Sequence, residues 1–195
     1  MDVSFRGLGL RALPGSVMTP RPASEALVDA AVALVGGRPA RVADVGTGSG
    51  AIAVALAAAL PLAEVVATDT SAAAVALARG NVRRLGLGGR VSVHHGDLLD
   101  PVAGRFDLVV ANLPYLPLAD APRHLELAGE PPHAVFAPGD GLDPYRRLVA
   151  ASRTRLLPDG SVAIQLHRRV VVASRAELDL LLATLDGPRA AAAVA

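Results

Sequence analysis

Asp44-Val45-Gly46-Thr47-Gly48-Ser49-Gly50 is the stretch on which the reading of the fold turns. Ahead of it, Arg41–Val45 is a short apolar run that ends at glycine, the form of a strand buried on both faces. Behind it, Gly50–Leu60 is alanine-rich and closed by Pro61, which predicts a helix. Glycines at two-residue spacing let the backbone turn sharply and let a ligand approach the main chain. The helix that follows offers unpaired N–H groups at its start. A dinucleotide fingerprint would read Gly-x-Gly-x-x-Gly; here the third glycine comes one residue early, and no Gly-Lys-Ser/Thr follows. The loop therefore suits a nucleoside without requiring a pyrophosphate.

Working outward, strand-like and helical runs alternate. Glu64–Thr68 predicts a second strand, and Ser71 is a good N-cap for a helix over Ala72–Leu85 that Gly86 stops. Arg90–His94 and Arg105–Ala111 predict a third and a fourth strand. A Pro-rich loop runs from Leu113 to about Gly141, followed by a helix over Asp143–Leu157, a Pro158-Asp159-Gly160 turn and a fifth strand, Ser161–Leu166. Ala176–Leu185 predicts a last amphipathic helix. Strands joined by helical runs of this length imply right-handed crossovers and a parallel sheet covered on both faces. The expected fold is a doubly wound α/β sheet, mostly parallel, with strand order 3-2-1-4-5. Residues 1–22, rich in Gly and Pro, read as an arm or hairpin, residues 23–186 as the main domain, and residues 187–195 as a tail.

Two acids extend the glycine loop. Asp69 falls at the carboxyl end of the second strand, where a carboxylate can accept both hydroxyls of a ribose. Asp97, with Leu98 beside it, falls just past the third strand, where an acceptor can meet an adenine amino group. After the fourth strand comes Asn112-Leu113-Pro114-Tyr115 at the same edge. The Asn112 side chain and the Leu113 carbonyl are two acceptors suited to a planar NH₂ group. Pro114 fixes φ, and Tyr115 adds an aromatic face.

Together these residues resemble the class I S-adenosylmethionine-dependent methyltransferases that act on planar amide or amino nitrogens. Thr19-Pro-Arg-Pro-Ala-Ser-Glu25, Glu130-Pro131 and Gly139-Asp-Gly-Leu-Asp-Pro-Tyr-Arg-Arg147 are similar to the arm, lid and following helix of the HemK-like protein glutamine N5-methyltransferases, which modify release factors. The resemblance implies S-adenosylmethionine as cofactor. It implies that Asp44, Gly46, Thr47, Gly48, Ser49 and Gly50 serve the methionine end, Asp69 the ribose, and Asp97 with Leu98 the adenine. Asn112 and the Leu113 carbonyl would grip the acceptor amide, with Pro114 and Tyr115 packing against it. The family's tetrapeptide is Asn-Pro-Pro-Tyr, so Leu113→Pro is expected to preserve or raise activity. Ala23-Ser24 stands where the family's arm carries Glu-Thr, the family's helical substrate-docking domain has no counterpart, and its final strand pair is not evident after Leu166.

Composition narrows the alternatives. With 195 residues and net charge +1, the chain lacks the strong basic field of a nucleic-acid binder. It has no cysteine, hence no thiolate nucleophile and no Cys-based metal site. His94 and His95 are adjacent, and His124, His133 and His167 fit no ligand spacing, so no metal is expected. The longest apolar run, Ala51–Leu60, is too short to span a bilayer, and Met1–Arg11 lacks a signal-peptide core. The expectation is a cytoplasmic enzyme whose partner is a protein carrying a glutamine, such as a release factor. An N6-adenine methyltransferase acting on RNA or DNA is the first alternative, and a catalytically weak cofactor-binding module the second. The arginine pairs 83–84, 146–147 and 168–169 read as solvated faces or as contacts to RNA or an acidic protein.

Overall fold

The computed structural model describes residues 1–167 and 169–187; Arg168 and residues 188–195, most of the expected tail, lie outside it. In chain order the elements are β1 (Asp2–Phe5), β2 (Leu8–Arg11), α1 (Glu25–Val35), β3 (Ala40–Val45), α2 (Ala51–Ala59), β4 (Ala63–Asp69), α3 (Ala72–Arg84), β5 (Val91–His95) and β6 (Phe106–Ala111). Next come β7 (Leu116–Pro117), α4 (Pro132–Val135), β8 (Phe136–Ala137), α5 (Asp143–Arg155), β9 (Leu156–Leu166), β10 (Arg169–Ser174) and α6 (Leu178–Asp186).

Six strands form the central sheet in the order β10-β9-β6-β3-β4-β5. The five from β9 to β5 are parallel; this is the expected 3-2-1-4-5 arrangement. Successive residues of each strand face opposite sides, and the sequence supplies apolar side chains to both. Val42, Val65 and Val110 join α1, α2 and α3 in one core. Ala43, Val66 and Val109 join α5 and α6 in the other. The antiparallel β1–β2 hairpin packs Phe5 and Leu10 into the first core. Asn81 of α3 ties the hairpin down, accepting from Arg11 N at 2.8 Å and donating to Arg11 O at 3.0 Å.

The structure corrects the sequence reading at three places. The chain does not leave the sheet after Leu166: β10 turns back antiparallel on β9, with Arg169 opposite Leu166 and Ser174 opposite Ser161. Its three consecutive valines, Val170–Val172, are the strand signal that the sequence reading passed over. The fifth strand starts at Leu156, which lies opposite Phe106, while Ser161 lies opposite Leu108. The expected Pro158-Asp159-Gly160 turn is thus a bulge within the strand, since proline cannot donate to the ladder. The segment from Leu113 to Gly141 carries short elements of its own, β7 and β8 pairing in parallel beside three-residue to six-residue 3₁₀ turns.

Candidate functional site

β3 runs between β4 on one side and β6 on the other, so the chain's winding reverses between β3 and β6. In open α/β sheets ligands bind at that switch point, outside the carboxyl ends of the strands. Three adjoining cavities lie there.

The first cavity has a volume of about 280 Å³, and Gly46, Gly48, Asp69, Asp97, Leu98 and Asn112 are on its wall. Gly46 and Gly48 have φ of +72° and +56°, a region that favours glycine. A Cβ on Gly46 would also sit 2.5 Å from the Leu113 side chain. Asp69 accepts from Gly48 N and from Ser71 N, each at 2.8 Å, tying the glycine loop to the start of α3. Ser71 caps α3 as expected, its hydroxyl accepting from Ala74 N at 3.3 Å. Leu98 holds a left-handed φ of +44° at the wall, the kind of local strain that concentrates at ligand sites. Asp97 is ion-paired with Arg147 of α5. Thr68, fully buried, also lines this cavity, and its hydroxyl has no hydrogen-bond partner among the described residues.

Asp44 lies beneath the loop. It is fully buried and accepts from the Thr47 hydroxyl at 2.6 Å. Burial pushes its carboxyl up to about 7, outweighing that hydrogen bond. A Cβ on Gly50 would meet the Ala78 backbone of α3 at 3.2 Å. The bare glycine serves the close packing of α2 on α3. Thr47 and Ser49 are buried and line the second cavity, about 60 Å³, beside Thr19, Arg21 and Ser24 of the arm.

The third cavity, about 90 Å³, holds Tyr115, Arg21, Gln165 and His167 on its wall. Tyr115 meets the His167 ring edge-on at 6.4 Å. Asn112 lines all three cavities. Its amide NH₂ donates to the Ser24 hydroxyl at 2.9 Å, which turns the side-chain oxygen the other way. Leu113 and Pro114 lie on the wall between the first and third cavities. Leu113 N donates to the buried Tyr145 hydroxyl at 2.9 Å, and its carbonyl lies 3.0 Å from the same hydroxyl. A proline at 113 has no N–H to give, so Leu113→Pro is now expected to weaken this corner of the site.

Sequence reasoning missed Met18 and Gln165, and it named Glu130, Arg146 and Arg147 without the contacts they make. Met18 of the arm lines all three cavities. Glu130 accepts from Thr19 N at 3.0 Å and pairs with Arg21, latching lid to arm. Arg147 lies on the first cavity's wall, and Arg146 pairs with Asp140 and Asp186, so neither belongs to a free basic face. Gln165, at the carboxyl end of an apolar strand, carried no signal at all. Among the described residues no group of three or more metal-ligating side chains comes together, and no helix is long and apolar enough to cross a membrane.

A six-stranded doubly wound sheet with its cavities at the switch point has the class I methyltransferase fold. A ribosomal protein methylase of Lactobacillus delbrueckii subsp. bulgaricus shares it at 24% identity and TM-score 0.56, over 87% of this chain and 69% of that one. So does a 16S rRNA methyltransferase of T. thermophilus in complex with AdoMet and guanosine, at 24% identity and TM-score 0.60, over 84% and 40%. The family model of the methyltransferase small domain matches residues 20–124, and the chain belongs to that family. It is 43% identical to the release factor glutamine methyltransferase of Rhodospirillum rubrum over 79% of its own length and 48% of that protein's. With the Deinococcus radiodurans protein of the same name it is 44% identical over 91% and 63%. The chain thus spans about half to two thirds of the length of these relatives.

Proposed function

We propose that the chain transfers a methyl group from S-adenosylmethionine to the side-chain amide nitrogen of a glutamine in a release-factor-like protein. One observation carries this reading: Asn112 stands where the three cavities meet, one edge held by Ser24 and its carbonyl oxygen left to orient an NH₂ group. The relatives named above support the choice of glutamine over adenine, and such a substrate places the protein in the cytoplasm.

The first cavity fits the cofactor. Asp69 and Asp97 are acceptors for ribose hydroxyls and the adenine amino group, and the backbone at Gly46 and Gly48 lies open on the wall. S-adenosylmethionine, when bound, supplies an electrophilic methyl on a sulfonium whose leaving thioether is neutral. Asn112 aligns the acceptor nitrogen and favours the loss of its conjugation. Tyr115 and His167 line the acceptor side of the site. With the cofactor bound, Asn112 would hold the amide nitrogen as it took the methyl, the C–S electron pair would stay on sulfur, and the surplus amide proton would pass to solvent. Catalysis is mainly positioning.

Tritiated-methyl transfer to a bacterial release factor and, in parallel, to total RNA tests the reading. Label in glutamine supports it, and label in adenine overturns it in favour of the nucleic-acid alternative. Asp69→Ala should weaken S-adenosylhomocysteine binding by about 1–3 kcal/mol, read by calorimetry. Equal affinity in the two proteins would remove Asp69 from the cofactor site.

A further inference from the structure

Asn81 lies on α3, fully buried, and every hydrogen bond of its side chain goes to main chain. Two of them hold Arg11 at the end of β2, as described above. The other is donated by Nδ2 to the Ser49 carbonyl at 2.8 Å, inside the glycine loop. One buried amide therefore joins the N-terminal hairpin to the loop beside the cofactor cavity. One turn earlier on α3, Ala78 is the residue that leaves no room for a Cβ on Gly50. α3 thus braces the loop at Ser49 and Gly50, while Asp69 holds Gly48 N from the other side.

The hairpin reaches the same loop by packing. Phe5 of β1, 2% exposed, is on the wall of the second cavity with Thr47 and Ser49. Val17, in the segment that leaves the hairpin, is buried and stands 3.9 Å from where a Cβ on Gly48 would be. Gly46, Gly48 and Gly50 all hold left-handed φ and have no side chains to fix it, so the shape of the loop depends on its neighbours. We propose that Asn81 is a positioning residue for the cofactor. By holding Arg11 and Ser49 together it couples docking of the β1–β2 hairpin to the shape of the glycine loop. This rests on the cofactor reading given above. Such coupling is reciprocal: loosening the hairpin weakens cofactor binding, and bound cofactor tightens the hairpin. An amide that served only stability would lower the melting temperature and leave the affinity of the folded protein alone.

The test uses the full chain and S-adenosylhomocysteine, with binding read by calorimetry at a temperature where circular dichroism shows every variant folded. Asn81→Ala removes the bridge, and Leu10→Ala loosens the hairpin from the first core without touching the loop. Leu181→Ala, in α6 on the opposite face of the sheet, is the control for lost stability. Asn81→Ala and Leu10→Ala should each weaken binding roughly fivefold or more, and Leu181→Ala by less than about twofold. In turnover, Asn81→Ala should raise KM for S-adenosylmethionine by about the same factor and move KM for the release factor less than about twofold. Wild-type affinity in Asn81→Ala, or equal weakening in Leu181→Ala, overturns the proposal. Hydrogen exchange on the wild-type protein needs no variant to fold. Saturating S-adenosylhomocysteine should slow the amides of Leu10 and Arg11 at least about threefold more than those of α6, and equal slowing in the two segments overturns the coupling. If the wild-type protein binds no S-adenosylhomocysteine, the cofactor reading itself has failed and this inference falls with it. Wild-type binding with an indifferent Asn81 defeats the coupling alone.

Discussion

Asn112 and Asp44 act through opposite kinds of environment. Asn112 is half-buried where three cavities meet, with one edge anchored on Ser24 and the other free. Its loss should fall on turnover: Asn112→Ala is expected to lower kcat by roughly 10²-fold, the scale for removing one positioned polar group. Cofactor affinity should stay within a few-fold. Steady-state kinetics with calorimetry checks both, and an unchanged kcat would remove Asn112 from the mechanism. Asp44 is sealed under the glycine loop, its carboxyl raised by burial to about 7 from 3.8. Between those values the folded protein holds a proton that the unfolded chain has released. Stability from this group is therefore full below about pH 4, falls as pH rises towards 7, and is level above it. The shift corresponds to something on the order of 4 kcal/mol across the window. In the ligand-free protein, Asp44→Asn should remove this slope, so its Tm advantage over the wild type should grow from pH 5 to pH 7 and then stay constant. Parallel melting curves for the two proteins over that range would show the idea to be wrong.

Among the elements, α5 does more than cover the sheet. Tyr145 projects from its first turn, fully buried, and one hydroxyl meets Leu113 N, Leu113 O and Gln165 O. Burial holds the phenol well above its ordinary range, so the hydroxyl keeps its proton. That single group joins the β6 exit loop to the end of β9, the two segments that carry Asn112 and Gln165. Tyr145→Phe leaves the Leu113 N–H and the Leu113 and Gln165 carbonyls without this partner, a loss of about 1–3 kcal/mol. The melting temperature should drop by roughly 5 °C, and kcat should fall with it because the tetrapeptide loosens. A variant that melts with the wild type and turns over normally would refute this role. The arm and the lid form a second joint, made by Glu130 accepting from Thr19 N and pairing with Arg21. Glu130 is one-tenth exposed and Arg21 two-fifths, so only the carboxylate end of the pair is shielded from solvent.

For the whole molecule, charge and packing point the same way. Net charge is +1, and Arg146 and Arg147 are spent on Asp140, Asp186 and Asp97. An enzyme that binds nucleic acid loses affinity steeply with salt, because neutralised phosphates release counterions. Methyl transfer to a release factor is expected to change by less than about threefold between roughly 50 and 200 mM salt, against the 10³-fold or greater loss quoted for six to ten phosphate contacts. Initial rates across that range decide the matter, and a steep decline would favour an RNA acceptor.

The order of strands, the glycine loop and the acids at the strand ends were legible from Arg41 to Ala111 because each rests on local rules. Strand alternation, a glycine turn and a Ser71 cap are settled within a few residues of chain. The same locality explains what stayed hidden. Ser24 reaches Asn112 across 88 positions and Thr19 reaches Glu130 across 111, and no spacing rule connects residues so far apart. Gly50 belongs to the glycine loop, and only the packing of α2 on α3 showed what its missing side chain makes room for. The direction of β10 was set by hydrogen bonds to β9, which its own valines could not encode. The sequence by itself determined that a crevice would form at the carboxyl edge of a parallel sheet. Only the tertiary structure decided which buried oxygens and nitrogens line it, because a polar atom's partner is chosen by packing at a distance and not by its neighbours in the chain.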